Sequence, residues 1–205
     1  MAKKSSRNTK ARIVSAAWKL FYEQGYEETT VEEIIFESET SKGSFYHYFD
    51  GKDALLSSLS YLFDDKYEEL LETLDTDRNA FDILMYLNRE LFGMIERTVS
   101  VELLAQMYAA QLTTKGEKHL LDRDRLYYRL LRQIARQGQD RSELRQDIPT
   151  GEIVKTYALC ERALLYDWCI CGGEYSLREY SAKMMPIFLT HLRASVVDKK
   201  LSDSI

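Results

Sequence analysis

The side chains best equipped for chemistry lie between Ser38 and Asp53, where Thr40, Ser41, Lys42, Gly43, Ser44, Tyr46 and His47 crowd donors, acceptors and a glycine into a short stretch. The set is too polar for a core. A lysine here can donate to guanine O6 and N7 or to a phosphate. A threonine or serine can meet a thymine methyl, and a glycine lets backbone approach a ligand closely. Phe45 and Phe49 are expected to be core, holding the polar tips outward. Contact with duplex DNA is the chemistry this stretch points to, against the plainer alternative of a short surface helix with aromatic packing.

Other constellations carry less. Cys169-x-Cys171 with Cys160 and His191 offers soft metal ligands, but residues two apart on a helix point to different faces, which favours small buried apolar side chains. Gly51-Lys52 lacks the upstream glycine and following hydroxyl of a phosphate-binding loop. No H-E-x-x-H or G-x-S-x-G occurs, so neither an enzyme nor a cofactor is expected. A second group, Phe63, Tyr67, Met85, Tyr86, Met107, Tyr108, Tyr127, Tyr166 and Trp168, is rich in rings and pliable methionine. Helices packed with such residues can enclose a pocket for a small, largely apolar or aromatic molecule, with Glu102, Arg162 or Asp167 as orienting groups. Taken singly, each is explained at least as well as core.

The elements that must position these residues are helical. Two prolines and nine glycines in 205 residues, with 45% hydrophobic residues at helical spacing, argue for an all-α chain. Thr30-Val31-Glu32-Glu33 has the T-x-x-E form of a capping box, so a short helix starts there, and a second starts at Ser41. Two short helices and a tight turn read as helix-turn-helix, whose second helix enters a major groove by its N-terminal end. A first helix carrying Ile13, Ala17, Leu20 and Phe21 and stopped by Gly25 completes a three-helix head, preceded by a mobile basic arm over residues 1–6. Lys10 and Arg12 are placed to flank the DNA backbone. Asp50 reads as the cap of the next helix, and Lys52 sits beside its free N–H groups.

From Ala54 one amphipathic helix is expected to reach Asp75, followed by helices over 78–97, 100–112, 120–137 (closed by Gly138) and 152–171 (closed by Gly172-Gly173), and a last long helix through Val196 kinked at Pro186. The final two have apolar sectors too wide for a surface helix. They are expected to pair with a second copy of the chain in a four-helix interface, setting two heads about 34–36 Å apart.

The run Ile13, Ala17, Leu20, Phe21, Gly25, Tyr26, Thr29-Thr30-Val31, Ile34, Ser41, Gly43, Tyr46, Phe49, Lys52 and Leu55 resembles the DNA-binding head of the TetR family of bacterial regulators, over roughly the first quarter of the chain. The resemblance implies an all-α protein with an N-terminal helix-turn-helix domain over 1–52 and a helical ligand-binding and dimerisation domain over 53–205. It also implies a homodimer joined through its two C-terminal helices, a palindromic operator, and repression relieved by a small-molecule effector. By the same resemblance Lys52 and the Tyr46 hydroxyl grip the DNA backbone, with Thr30 among the contacts. The chain departs from the family's small-residue-then-glycine turn by carrying Ser38 and Glu39, and it has Ile35 where alanine is common. A non-glycine turn residue is strained wherever its φ is positive.

The net charge of −5 argues against a protein that coats nucleic acid indiscriminately. Its distribution matters more. Residues 1–52 carry as many basic as acidic groups, every charge before Glu23 being basic and Glu23 to Glu39 being acidic, so one surface can meet phosphate while another faces away. A rival reading follows from Glu37 and Glu39, namely a helical protein-interaction module whose head no longer binds DNA. No targeting leader and no run of eighteen apolar residues is evident, and three cysteines suit a reducing compartment, so a cytoplasmic location with no membrane contact is expected.

Overall fold

Helical periodicity persists from one end of the chain to the other, and a computed structural model gives it three-dimensional form. It describes residues 2–56, 58–113 and 118–194, with 2–8, 59 and 61 described by backbone alone. Its helices are α1 (Ala2–Gln24), α2 (Val31–Glu37), α3 (Lys42–Tyr48), α4 (Lys52–Leu56), α5 (Leu59–Thr73), α6 (Ala80–Thr98), α7 (Val101–Thr113), α8 (Leu126–Asp140), α9 (Thr150–Ile170) and α10 (Leu177–Leu189). Short 3-10 turns lie at His119–Leu121 and Thr190–Leu192. The protein is all-α, and among the described residues the only β-type pairing is an isolated bridge between Leu144 and Arg193.

The chain forms two compact units, Met1–Leu62 with Val99–Leu121, and Phe63–Thr98 with Asp122–Ile205. In the first, Ile13, Ala17 and Phe21 of α1 bury against Ile34 of α2 and Phe45 of α3. Gly25, at φ +91, ends α1 in the left-handed region that glycine tolerates best. The basic arm expected over residues 1–6 is instead the start of α1 from Ala2 onward. This unit extends beyond residue 52, because α4 packs against α7 within it.

The single helix expected from Ala54 to Asp75 is divided into α4 and α5. Leu55 O accepts both the N–H and the hydroxyl of Ser58, and the Ser58 hydroxyl in turn receives Trp18 Nε1–H at 2.8 Å. A carbonyl held three residues on in this way is drawn out of the i to i+4 ladder, so the helix breaks and restarts.

In the second unit α6 lies against α8 and α10, and α9 packs on both. Phe81, Leu84, Leu87, Phe92 and Ile95 of α6 meet Leu131 and Ile134 of α8 and Tyr157 and Leu164 of α9 in one core. Gly138 was expected to close its helix. It lies within α8 instead, where a Cβ would stand 2.6 Å from the Ala80 Cβ and 2.8 Å from Leu144 Cδ1. Close packing, rather than termination, requires that glycine. Gly172 and Gly173, at φ +61 and +74, do close α9. Pro186 sits inside α10, which ends three residues later at Leu189; Val196 lies outside the described residues.

Candidate nucleic-acid interface and a buried polar cluster

Local hydrogen bonding builds the α2–α3 region. Thr30 N–H donates to Glu33 Oε2 at 2.8 Å while Glu33 N–H donates to Thr30 Oγ1 at 3.2 Å, the reciprocal box that starts α2. Those bonds hold the Glu33 carboxyl below its ordinary range. Ser41 caps α3 by accepting Ser44 N–H at 3.1 Å, and Ser38 and Thr40 share a hydroxyl contact at 2.8 Å across the turn. Phe45 is wholly buried and Phe49 nearly so, whereas Ser41, Lys42, Gly43, Tyr46 and His47 are exposed on one short helix and its cap. Lys42 has only a long contact to Glu32, at 3.5 Å, and lies over the Tyr46 ring. Among the described residues a Cβ at Gly43 would approach only Ser41 Oγ, at 3.9 Å, so none of them calls for a glycine there.

The turn departs from a glycine-bearing one at a cost. Glu39 has φ +49, a conformation that disfavours L side chains by about 1–2 kcal/mol. Arg12 offsets part of this. Its Nη2 donates to Ser38 O at 2.5 Å, to Glu39 O at 2.9 Å and to Glu39 Oε2 at 3.3 Å. Lys19 pairs with Glu37 at 2.6 Å, which raises the lysine pKa. Glu37 and Glu39 are therefore engaged with cations of α1.

Lys52 differs from its expected place. Its ammonium donates to Tyr26 O at 2.9 Å, Glu27 O at 3.0 Å and Thr29 O at 3.1 Å, and stands 4.5 Å from the Tyr26 ring centre. An ammonium has three N–H groups, and here each has a carbonyl. The neighbouring Asp53 accepts the Tyr26 hydroxyl, so α4 is pinned to the α1–α2 turn by two adjacent side chains.

The ring-rich residues are divided between the two units. Met107 and Tyr108 belong to the first unit, the former buried and the latter half-buried. In the second unit Phe63, Tyr67 and Tyr127 are buried, with the Tyr67 and Tyr127 rings 5.5 Å apart, whereas Met85 and Tyr86 are half-buried on α6. Trp168 is buried and donates to Tyr175 O at 2.9 Å; Tyr166 is 52% exposed, on the face of α9 that also carries Leu159 and Ile170.

Sequence reading passed over the polar centre of this unit. Glu161 is buried on α9, accepting Asn88 Nδ2–H at 2.9 Å and the Tyr127 hydroxyl at 2.7 Å, with the Tyr157 hydroxyl alongside and donating to Leu84 O at 2.8 Å. Burial pushes its carboxyl above the ordinary 4.5, against the opposing pull of these hydrogen bonds. The signal was present: Glu161 falls in register on the apolar line of Ile153, Tyr157, Leu164 and Trp168. Nearby in sequence to Tyr127, Arg125 makes a two-pronged pair with Asp64, Nε to Oδ2 at 3.0 Å and Nη2 to Oδ1 at 2.9 Å. Glu102, Arg162 and Asp167 do not share the cluster's hydrogen bonds; Arg162 donates to Tyr128 and Asp167 accepts from Tyr175.

Because Glu161 takes up its proton more readily folded than unfolded, stability falls as pH rises from the ordinary carboxyl value of 4.5 through the raised one. Glu161→Gln keeps the shape and removes the titration. Urea melts across that window are expected to show the decline in the parent and a flatter profile in the variant.

The cysteines are unpaired, and burial lifts the Cys169 thiol to about 11, far from a reactive thiolate. Among the described residues no cluster of three or more His, Cys, Asp or Glu could hold a metal ion, and no helix is long and apolar enough to cross a membrane.

A family model described as bacterial regulatory proteins, tetR family, matches residues 13–59, the span of α1 to the start of α5. The head of the chain is that of the TetR family. An uncharacterized HTH-type transcriptional regulator of Bacillus subtilis, YuxN, is 42% identical over 73 residues, which cover 34% of this chain and 25% of that protein. The first of the matched curated relatives are thus spanned over only about a quarter of their length. The Escherichia coli HTH-type transcriptional regulator UidR is 26% identical over 152 residues, covering 70% of this chain and 72% of its own. Beyond the TetR head the likeness extends to architecture. Thermus thermophilus FadR, a TetR-family transcriptional repressor solved with lauroyl-CoA, superposes with a TM-score of 0.69 at 25% identity, over 88% of this chain and 93% of that one.

Proposed function

We propose that the protein is a ligand-responsive regulator that binds a palindromic DNA operator as a homodimer, represses, and is released by a small, largely apolar or aromatic effector. The observation that carries this reading is the outward face of α3. Its lysine, tyrosine and histidine, with the capping Ser41, are exposed on a helix anchored by buried Phe45, and its glycine answers to no neighbour among the described residues. Thr40, Ser41, Lys42, Ser44, Tyr46 and His47 are assigned to groove and phosphate contacts, and Thr30 to ordering the helix before them. Exposed Leu159, Tyr166 and Ile170 on α9, with Tyr180, Ile187 and Phe188 on α10, support pairing through the last two helices. FadR, solved with an acyl-CoA, supports an effector with a substantial apolar part. In this scheme the effector prefers one of two conformations of the dimer and so shifts the spacing of its two recognition helices. The rival, a protein-binding head, rested on Glu37 and Glu39, and their pairing with Lys19 and Arg12 removes its motive.

The test is a salt-dependent mobility-shift titration on an inverted repeat upstream of the gene. Gly43→Ala is expected to leave the fold as stable or slightly more so, since alanine is the better helix former by about 1 kcal/mol. It is expected to weaken operator binding by about 1–3 kcal/mol, the scale of one groove contact. Unchanged affinity in Gly43→Ala, or no binding to any palindrome at low salt, contradicts the assignment.

A further inference from the structure

Among the described residues, three side-chain polar atoms of the second unit are buried with no partner: one is Arg178 Nε, and the other two are the Tyr67 hydroxyl and Asn88 Oδ1. Tyr67 and Asn88 are 1% and 0% exposed. An unpaired polar atom in the interior is costly, so a ligand group that satisfies one or both of them gains over one that satisfies neither. Asn88 is bound to Glu161, and the Tyr67 ring lies 5.5 Å from that of Tyr127, whose hydroxyl Glu161 accepts.

We propose that Tyr67, Asn88 and Glu161 form the polar end of the effector site and select an uncharged or cationic ligand whose apolar body carries an N–H or O–H donor, such as an alcohol, phenol or amine. This rests on the effector reading above. The chemistry follows from which atoms are open. Asn88 Oδ1 can only accept, and its orientation is set because Nδ2 is bound to Glu161 Oε1; turning the amide over would set oxygen against carboxyl oxygen. The ligand must therefore bring a proton. The Tyr67 hydroxyl can donate or accept, so it receives or completes the same group.

An anionic head is disfavoured on two counts. It brings no proton to Asn88, and it adds negative charge beside the Glu161 acid, which already draws on the charge of Arg162, while Arg125 is bound to Asp64. A bare carbonyl satisfies Tyr67 alone. An amine gains further from the Glu161 carboxyl and from the tyrosine faces.

The experiment is a calorimetric titration of the full-length protein with three probes that share one body: 2-(2-naphthyl)ethanol, 2-(2-naphthyl)ethylamine and 2-naphthylacetate. The alcohol and the amine are expected to bind at least tenfold more tightly than the carboxylate. Tyr67→Phe is expected to melt no lower than the parent, having lost an unsatisfied hydroxyl, and to bind the alcohol about tenfold more weakly. A purely structural tyrosine would not move the second value. Equal binding of all three probes, binding of none, or an unchanged alcohol affinity in Tyr67→Phe overturns the proposal. So does a crystal structure of the probe-soaked protein in which a fixed water alone bridges Tyr67 and Asn88. Operator release by each probe is measured separately. Selective binding that leaves the DNA complex intact upholds the donor preference and sinks only the effector reading.

Discussion

Arg125→Ala is expected to destabilise the second unit by about 3–5 kcal/mol, the range found when one partner of a buried ion pair is removed. The side chains of Arg125 and Asp64 are 7% and 14% exposed, and their two hydrogen bonds are parallel, the geometry in which a guanidinium holds a carboxylate best. Asp64 Oδ1 also accepts Tyr127 N–H at 3.3 Å, so this α5 carboxylate serves as the side-chain cap that α8 otherwise lacks. Truncating the arginine leaves a negative charge in a place water barely reaches. It also loosens the start of α8, which carries Tyr127 to Glu161. Urea denaturation should give the loss directly. The pair Asp64→Leu with Arg125→Met should recover most of it, because two apolar side chains leave no charge stranded. A loss under 1 kcal/mol in Arg125→Ala would mean that the pair behaves as a surface contact.

How much of this was legible beforehand depended on the distance over which each cause acts. The Thr30–Glu33 box and the Ser41 cap span three residues, and sequence alone places both. Gly25 and the Gly172-Gly173 pair were likewise legible as stops, since a positive φ is a local demand. The long helix after Ala54 was not, because the serine that breaks it is held by Trp18, 40 residues earlier. Gly138 has the look of a helix end, and only Ala80 on another helix reveals that it is a packing glycine. Glu161 escaped notice for the same reason: its partners lie 34 and 73 residues away, and a lone charge on an apolar line is silent about them. Around the recognition helix, residue types were legible but competition for them was not. The sequence offers Arg12 and Lys52 as cations for phosphate; the fold gives each an acceptor of its own.

That competition decides what Lys52→Ala should do. Three charge-assisted hydrogen bonds close the α1–α2 turn onto α4, two of them part-buried. With allowance for partial solvent access, their loss is expected to destabilise the first unit by about 2–3 kcal/mol. DNA binding should weaken because fewer molecules hold a formed α2–α3 pair, and the weakening should be the same on every duplex. The salt dependence separates this from a phosphate grip. A lysine that neutralises one phosphate contributes about 0.9 to the slope of log K against log salt, and its removal flattens the slope by that amount. A lysine that splints a turn contributes nothing to the slope. Lys52→Ala is therefore expected to lower affinity with the slope unchanged, and Lys52→Arg, which also reaches several carbonyls, to restore part of the stability. A flattened slope in a variant that melts like the parent would return Lys52 to the DNA backbone.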